Sequence, residues 1–135
     1  MKPGFKTAYL DTRSQDGRND TLLSELHFRD YNGDLYKVPV GSPTDGGSTP
    51  RFSWLVPGFE PFGDHWFSWV LHDSGCRGTL QVMKTGTFTY YPAKLSRLES
   101  DKLLDRALTT MGMSPAKRKA VFAGVRIGAM NFKRL

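Results

Sequence analysis

The stretch from His65 to Gly75, His-Trp-Phe-Ser-Trp-Val-Leu-His-Asp-Ser-Gly, sets the strongest constraint on the fold. Its aromatic and aliphatic residues must leave water, whereas the histidine and aspartate that follow resist burial. At 3.6 residues per turn, Trp66, Trp69, Val70 and Asp73 follow one line along a helix, and His65, Trp69, His72 and Cys76 follow the neighbouring one. Two histidines and a carboxylate thus border an aromatic face. Groups of this kind taken out of water need partners, and Asp45, Ser48, Arg51, Arg97 and Asp101 are the candidates elsewhere in the chain.

The 135 residues fit a single domain that buries roughly two thirds of its unfolded surface. Residues 4–10 alternate loosely and predict a first strand, and Asp11 to Asp20 reads as a polar loop. From Leu22 to Val40 the apolar residues alternate with charge around Asn32-Gly33, a two-residue hairpin turn. Gly41 to Pro61 is a long connection rich in Gly, Pro, Ser and Thr. Its Phe52, Trp54, Leu55, Val56 and Phe59 argue that it packs onto the domain. The central helix is expected from Gly63 to Ser74, ending at Gly75. Thr79 to Lys84 and Thr87 to Tyr91 predict a second hairpin around Lys84-Thr85-Gly86, ended by Pro92.

Ser96-Arg97-Leu98-Glu99 is a capping box, and Leu104, Ala107, Leu108 and Met111 form the core stripe of the helix it opens, which stops at Gly112. Ser114-Pro115 starts a last helix with Val121, Phe122, Val125, Ala129 and Phe132 on its apolar face. The fold class is therefore α+β: one domain in which two small antiparallel β-hairpins pack with three α-helices.

Nineteen Lys and Arg oppose thirteen Asp and Glu, and the excess is concentrated late. From Ala116 to Leu135 there are Lys117, Arg118, Lys119, Arg126, Lys133 and Arg134 and no acid. This is either a docking face for an anionic partner, whether nucleic acid, cell-wall polymer or an acidic protein surface, or a helix with one solvated basic side. Stacking aromatics interleaved with the cations are missing, which weakens the nucleic-acid reading. No apolar run approaches the ~18 residues of a membrane span, and no apolar segment follows Lys2 as in a secretory signal. A single cysteine, Cys76, forbids an intramolecular bridge and provides no cysteine cluster for zinc.

Three groups are candidates for chemistry. In Thr44-Asp45-Gly46-Gly47-Ser48-Thr49-Pro50-Arg51 the glycines let backbone amides turn inward toward an anion and Arg51 can fork onto a carboxylate or phosphate; alternatively Asp45 only closes a local turn. Arg97 and Asp101, four apart and in line with Leu104 and Leu108, lie on the inward edge of their helix, with His72-Asp73 as the natural opposite number. His72-Asp73 itself has three readings. It is a metal ligand set with His65 and Asp101, a general base serving Ser48 as nucleophile, or an anchor for the long loop. Trp-Val-Leu-His-Asp-Ser-Gly resembles the His-Asp element of a metal-dependent phosphohydrolase superfamily. The second histidine of that pattern has only His27, in a predicted strand, as its counterpart, and no metal or cofactor is assigned.

Taken as a set, these motifs resemble a family of small phage and prophage proteins classed as a domain of unknown function. That family carries Thr-Asp-x-x-Ser-x-Pro-Arg, His-Asp and Ser-Arg-x-x-x-Asp, then a Val-Arg pair like Val125-Arg126. The resemblance covers about residues 39–130. It implies a phage-encoded structural or accessory protein of the virion, acting in assembly, at a tail or connector, or in host-wall passage. Other virion proteins are then its partners, and its place is the virion or the host cytoplasm during infection. It also implies that Asp45, Ser48, Arg51, His72, Asp73, Arg97 and Asp101 converge. The competing expectation is a small hydrolase of peptidoglycan, peptide or phosphoester bonds using His72 with Asp73 or Asp101.

Overall fold

The computed structural model of the chain describes residues 2–7, 12–14, 20–44 and 66–133, with side chains for 2–7, 21–43 and 67–127. Leu26 and Phe28 alternate with His27 and Arg29, and Tyr36 and Val38 with Leu35 and Lys37. Pairing these segments buries one face and leaves the other wet. They form β4 (Leu26–Arg29) and β5 (Leu35–Val38) of a five-stranded antiparallel sheet in the order β1-β4-β5-β7-β8, with β1 at Gly4–Phe5, β7 at Gln81–Met83 and β8 at Tyr91–Pro92. The two expected hairpins are thus parts of one sheet. A smaller antiparallel sheet joins β2 (Thr12–Ser14), β3 (Asp20–Leu22) and β6 (Pro43–Thr44).

Among the described residues the helices are α1 (Trp66–Arg77), α2 (Arg97–Thr110) and α3 (Pro115–Lys133). Val70 and Leu71 of α1 and Leu103 and Ala107 of α2 share a core with Phe28, Tyr36, Val38 and Val82 of the sheet. Trp69, Leu104 and Leu108 form a second core with Met113, Val121 and Val125. α2 is therefore apolar on two sides, one toward the sheet and one toward α3. Ser96 accepts from Glu99 N while the Glu99 carboxylate accepts from Ser96 N, so the capping box sets where α2 begins.

Several local expectations are corrected. Among the described residues β1 is Gly4–Phe5, and β2 and the start of β3 occupy part of the supposed loop. Their short ladder of mainly polar residues leaves no alternation to read. The turn between β4 and β5 contains three residues, Tyr31, Asn32 and Gly33, because Asp30 N donates to Asp34 O and Gly33 N donates to Asp30 O. Only Gly33 has positive φ there, so the two-residue turn gives way to a three-residue one closed by glycine. In the second hairpin Thr87 N does donate to Lys84 O, but pairing begins only at Tyr91, and Pro92 lies inside β8, where an edge strand tolerates it.

α1 passes through Gly75 and ends before Gly78, whose φ of +81° suits the position after a helix. Gly75 meets a different demand. A Cβ there would stand 2.7 Å from Ser100 Oγ, so the missing side chain lets α1 and α2 approach. Most of the long connection from Gly41 to Pro61, the start expected for α1 at Gly63, and the side chains of Ala129 and Phe132 lie outside the described residues.

Candidate functional site

Where α1, α2 and α3 meet, the helix periods converge on one carboxylate. The capping box places Asp101 one turn into α2, where Ser100, Leu103 and Leu104 are also buried. Asp101 is 0% exposed. His72 Nε2 of α1 lies 2.7 Å from its Oδ1, Arg126 Nη1 of α3 donates to its Oδ2 at 2.7 Å, and Arg97 Nε stands 3.6 Å from Oδ1. The His72 ring meets Trp69 edge to face, with centroids 5.6 Å apart, and Cys76 Sγ lies 3.7 Å from the same Nε2 that faces Asp101.

The electrostatics follow from this geometry. Burial by itself pushes the His72 pKa down. The hydrogen bonds to Asp101 and Cys76, with the attraction of both groups, overcome it and raise the value to about 9. The imidazole is therefore protonated at neutral pH. Burial likewise works to raise the Asp101 pKa, but the hydrogen bond and charge of His72, then Arg126 and Arg97, carry it below the ordinary carboxylate value. One anion thus holds three cations drawn from three helices.

His72, Arg97 and Asp101 come together as the helical spacing implies. Asp73 does not join them: one residue on, it points about 100° around the helix, and Arg77 Nε lies 3.0 Å from its carboxylate in an i,i+4 pair. The supposed His-Asp unit is accordingly divided between two environments. Asp45, Ser48, Arg51 and His65 lie outside the described residues.

The basic helix also needs correction. Arg126 is built into the buried cluster, and Arg118 pairs with Asp105 at 3.4 Å, so the acids missing from the α3 sequence are supplied by α2. Lys117 and Lys119 are exposed. Sequence reasoning missed two further features. Arg106 grips Asp30 at 2.9 and 3.1 Å, tying α2 to the sheet, and nothing in the local sequence announces that long-range pair. The approach of Cys76 Sγ to the His72 ring is the second, although the i,i+4 relation of the two residues is visible in the sequence.

The architecture defines a small α+β protein with a buried ion cluster shared by its three described helices. Residues 20–125 match the family described as "Protein of unknown function (DUF1353)", and the chain belongs to that family. No curated protein matches the chain significantly, and neither does any solved structure.

Proposed function

We propose that the protein is a phage-encoded structural or accessory component of the virion, in which the polar cluster locks the helices and the α2-α3 surface docks an acidic segment of another virion protein. The phage assignment rests on the motif set Thr44-Asp45, Ser48, Pro50-Arg51, His72-Asp73, Arg97, Asp101 and Val125-Arg126. The observation that carries the non-enzymatic reading is the saturation of Asp101. Both its oxygens are taken by cations from other helices, and it is fully enclosed. A relay for hydrolysis needs one imidazole nitrogen on the orienting acid and the other on the nucleophile. Here the acid and the only cysteine face the same nitrogen, and that imidazole already carries its proton.

A groove of about 470 Å³ between α2 and α3 supports the docking half. Lys102, Arg106, Arg118 and Lys119 rim it and Phe122 lines it. Because Asp30 and Asp105 already pair with Arg106 and Arg118, Lys102 and Lys119 carry most of the uncompensated charge. Apolar lining under basic residues suits an acidic, partly apolar peptide better than a phosphate backbone.

The test is quantitative mass spectrometry of gradient-purified particles against cleared lysate of infected cells. Expected is a fixed copy number per particle, lost when Lys102→Glu and Lys119→Glu are combined. Recovery only from the lysate overturns the virion role. DNA binding that falls steeply with salt would replace the acidic protein partner by nucleic acid.

A further inference from the structure

We infer that His72, Cys76 and Asp101 form a binding site for one divalent transition-metal ion of the zinc type, with a coordination position left open beside the exposed Cys76. This goes beyond the role proposed above and does not depend on it. The three ligand atoms lie within 4.8 Å of one another. His72 and Cys76 are one turn apart on α1 and Asp101 comes from α2, so an ion held by all three would cross-link the helices at the point where they approach closely over Gly75.

The spacing around His72 fits the chemistry, while the widest pair of ligand atoms, up to 4.8 Å apart, must close to about 3.6 Å. A tetrahedral ion with bonds of about 2.0–2.1 Å to nitrogen and about 2.3 Å to sulfur sets those two atoms about 3.6 Å apart. The Nε2 to Sγ separation is 3.7 Å. Nitrogen and oxygen ligands sit about 3.3 Å apart around such an ion, whereas Nε2 and Oδ1 are now 2.7 Å apart across a shared proton. Entry of the ion requires that proton to leave and the two atoms to separate by about 0.6 Å. A thiolate, an imidazole and a carboxylate together favour zinc or cobalt over magnesium or calcium, which take oxygen ligands.

The nearby arginines are compatible with the ion. Binding exchanges one proton of the imidazole and one of the thiol for a divalent cation, so the net charge facing Arg97 and Arg126 does not change. Arg126, on Asp101 Oδ2, holds the carboxylate in place, as partners of metal-bound carboxylates commonly do, and Arg97, whose Nε stands 3.6 Å from Oδ1 on a partly exposed side chain, turns toward water as the ion takes that oxygen.

The test uses the full chain, stripped with EDTA and titrated with cobalt(II) as the probe. Expected is near-ultraviolet thiolate-to-cobalt charge-transfer absorption with strong four-coordinate visible bands, saturating at one ion per chain. The charge-transfer band should vanish in Cys76→Ser, with affinity lower by at least about 10-fold. Cys76 is exposed, and circular dichroism of that variant checks that it folds. In the wild-type protein, zinc should move the His72 Nε2 resonance in a long-range ¹H–¹⁵N spectrum while leaving His27 in place. Absence of the charge-transfer band, saturation at half an ion per chain, or equal affinity in Cys76→Ser would each overturn the site. So would a zinc response at His27 with none at His72.

Discussion

Replacing Asp101 by asparagine keeps the shape of the side chain at the centre of the cluster and removes its charge. Two hydrogen bonds of 2.7 Å end on that carboxylate. Each hydrogen bond to a charged group contributes about 1.5–3 kcal/mol, so the pair represents about 3–6 kcal/mol. The Arg97 and Arg126 side chains are 33% and 29% exposed and can turn toward water. The His72 side chain, 7% exposed, cannot, and must give up its proton instead. The lower part of the range, about 3–4 kcal/mol, is therefore expected, in line with breaking a buried pair from one side. Against a domain stability of about 5–15 kcal/mol the variant still folds. Urea unfolding in EDTA, followed by tryptophan fluorescence, should show the midpoint falling by about 1.5–2 M for a slope near 2 kcal/mol per molar. With its acid gone, the His72 ring should titrate well below its folded value of about 9 in NMR, burial now being opposed by Cys76 without the Asp101 charge. A loss under about 1 kcal/mol together with an unchanged His72 titration would show that the cluster does not lock the helices, and the reasoning would fail.

Stability should depend on pH with a definite sign. The folded His72 pKa of about 9 exceeds the unfolded 6.5, so its contribution of about 3 kcal/mol is complete below pH 6.5 and lost as pH rises through 9. The Asp101 pKa is lowered, so its contribution is present above pH 3.8 and lost as pH falls through the folded value. Urea midpoints in EDTA between pH 5 and 9.5 should fall with pH, and His72→Gln should flatten the curve. Gly75→Ala, usually favourable in a helix, should instead cost about 1–3 kcal/mol because its Cβ meets Ser100 Oγ at 2.7 Å. Ser100→Ala should restore most of that loss in thermal unfolding of the double variant. Alone it should be neutral or stabilising by up to about 1 kcal/mol, since that buried hydroxyl has no hydrogen-bond partner among the described residues. Lys117→Glu and Lys119→Glu should change stability by no more than about 0.5 kcal/mol, these positions being exposed; a loss above about 1 kcal/mol in chemical denaturation would contradict that.

The parts of this protein that were legible in its sequence are those whose cause is local. Alternation marked the faces of β4 and β5, the Ser96-Glu99 box marked the start of α2, and Ser114-Pro115 marked the start of α3. The four-residue step from Arg97 to Asp101, in line with Leu104, placed an acid on a buried edge because the period of a helix is a property of the chain itself. That was enough to expect His72 and Asp101 to meet.

Tertiary structure decided what the other charges do. A window of α3 without acids looked like a free basic surface, yet α2 brings Asp101 to Arg126 and Asp105 to Arg118, because ionic partners are chosen by proximity in space, not along the chain. Gly75 looked like a helix stop, and only the approach of α2 shows why a glycine stays inside α1. Histidine and aspartate are adjacent at positions 72 and 73, but a 100° turn between neighbours sends one into the core and the other to Arg77. The sequence by itself determined which residues are too polar to be buried alone. Only the packing of three helices against a sheet determined which of them are buried together.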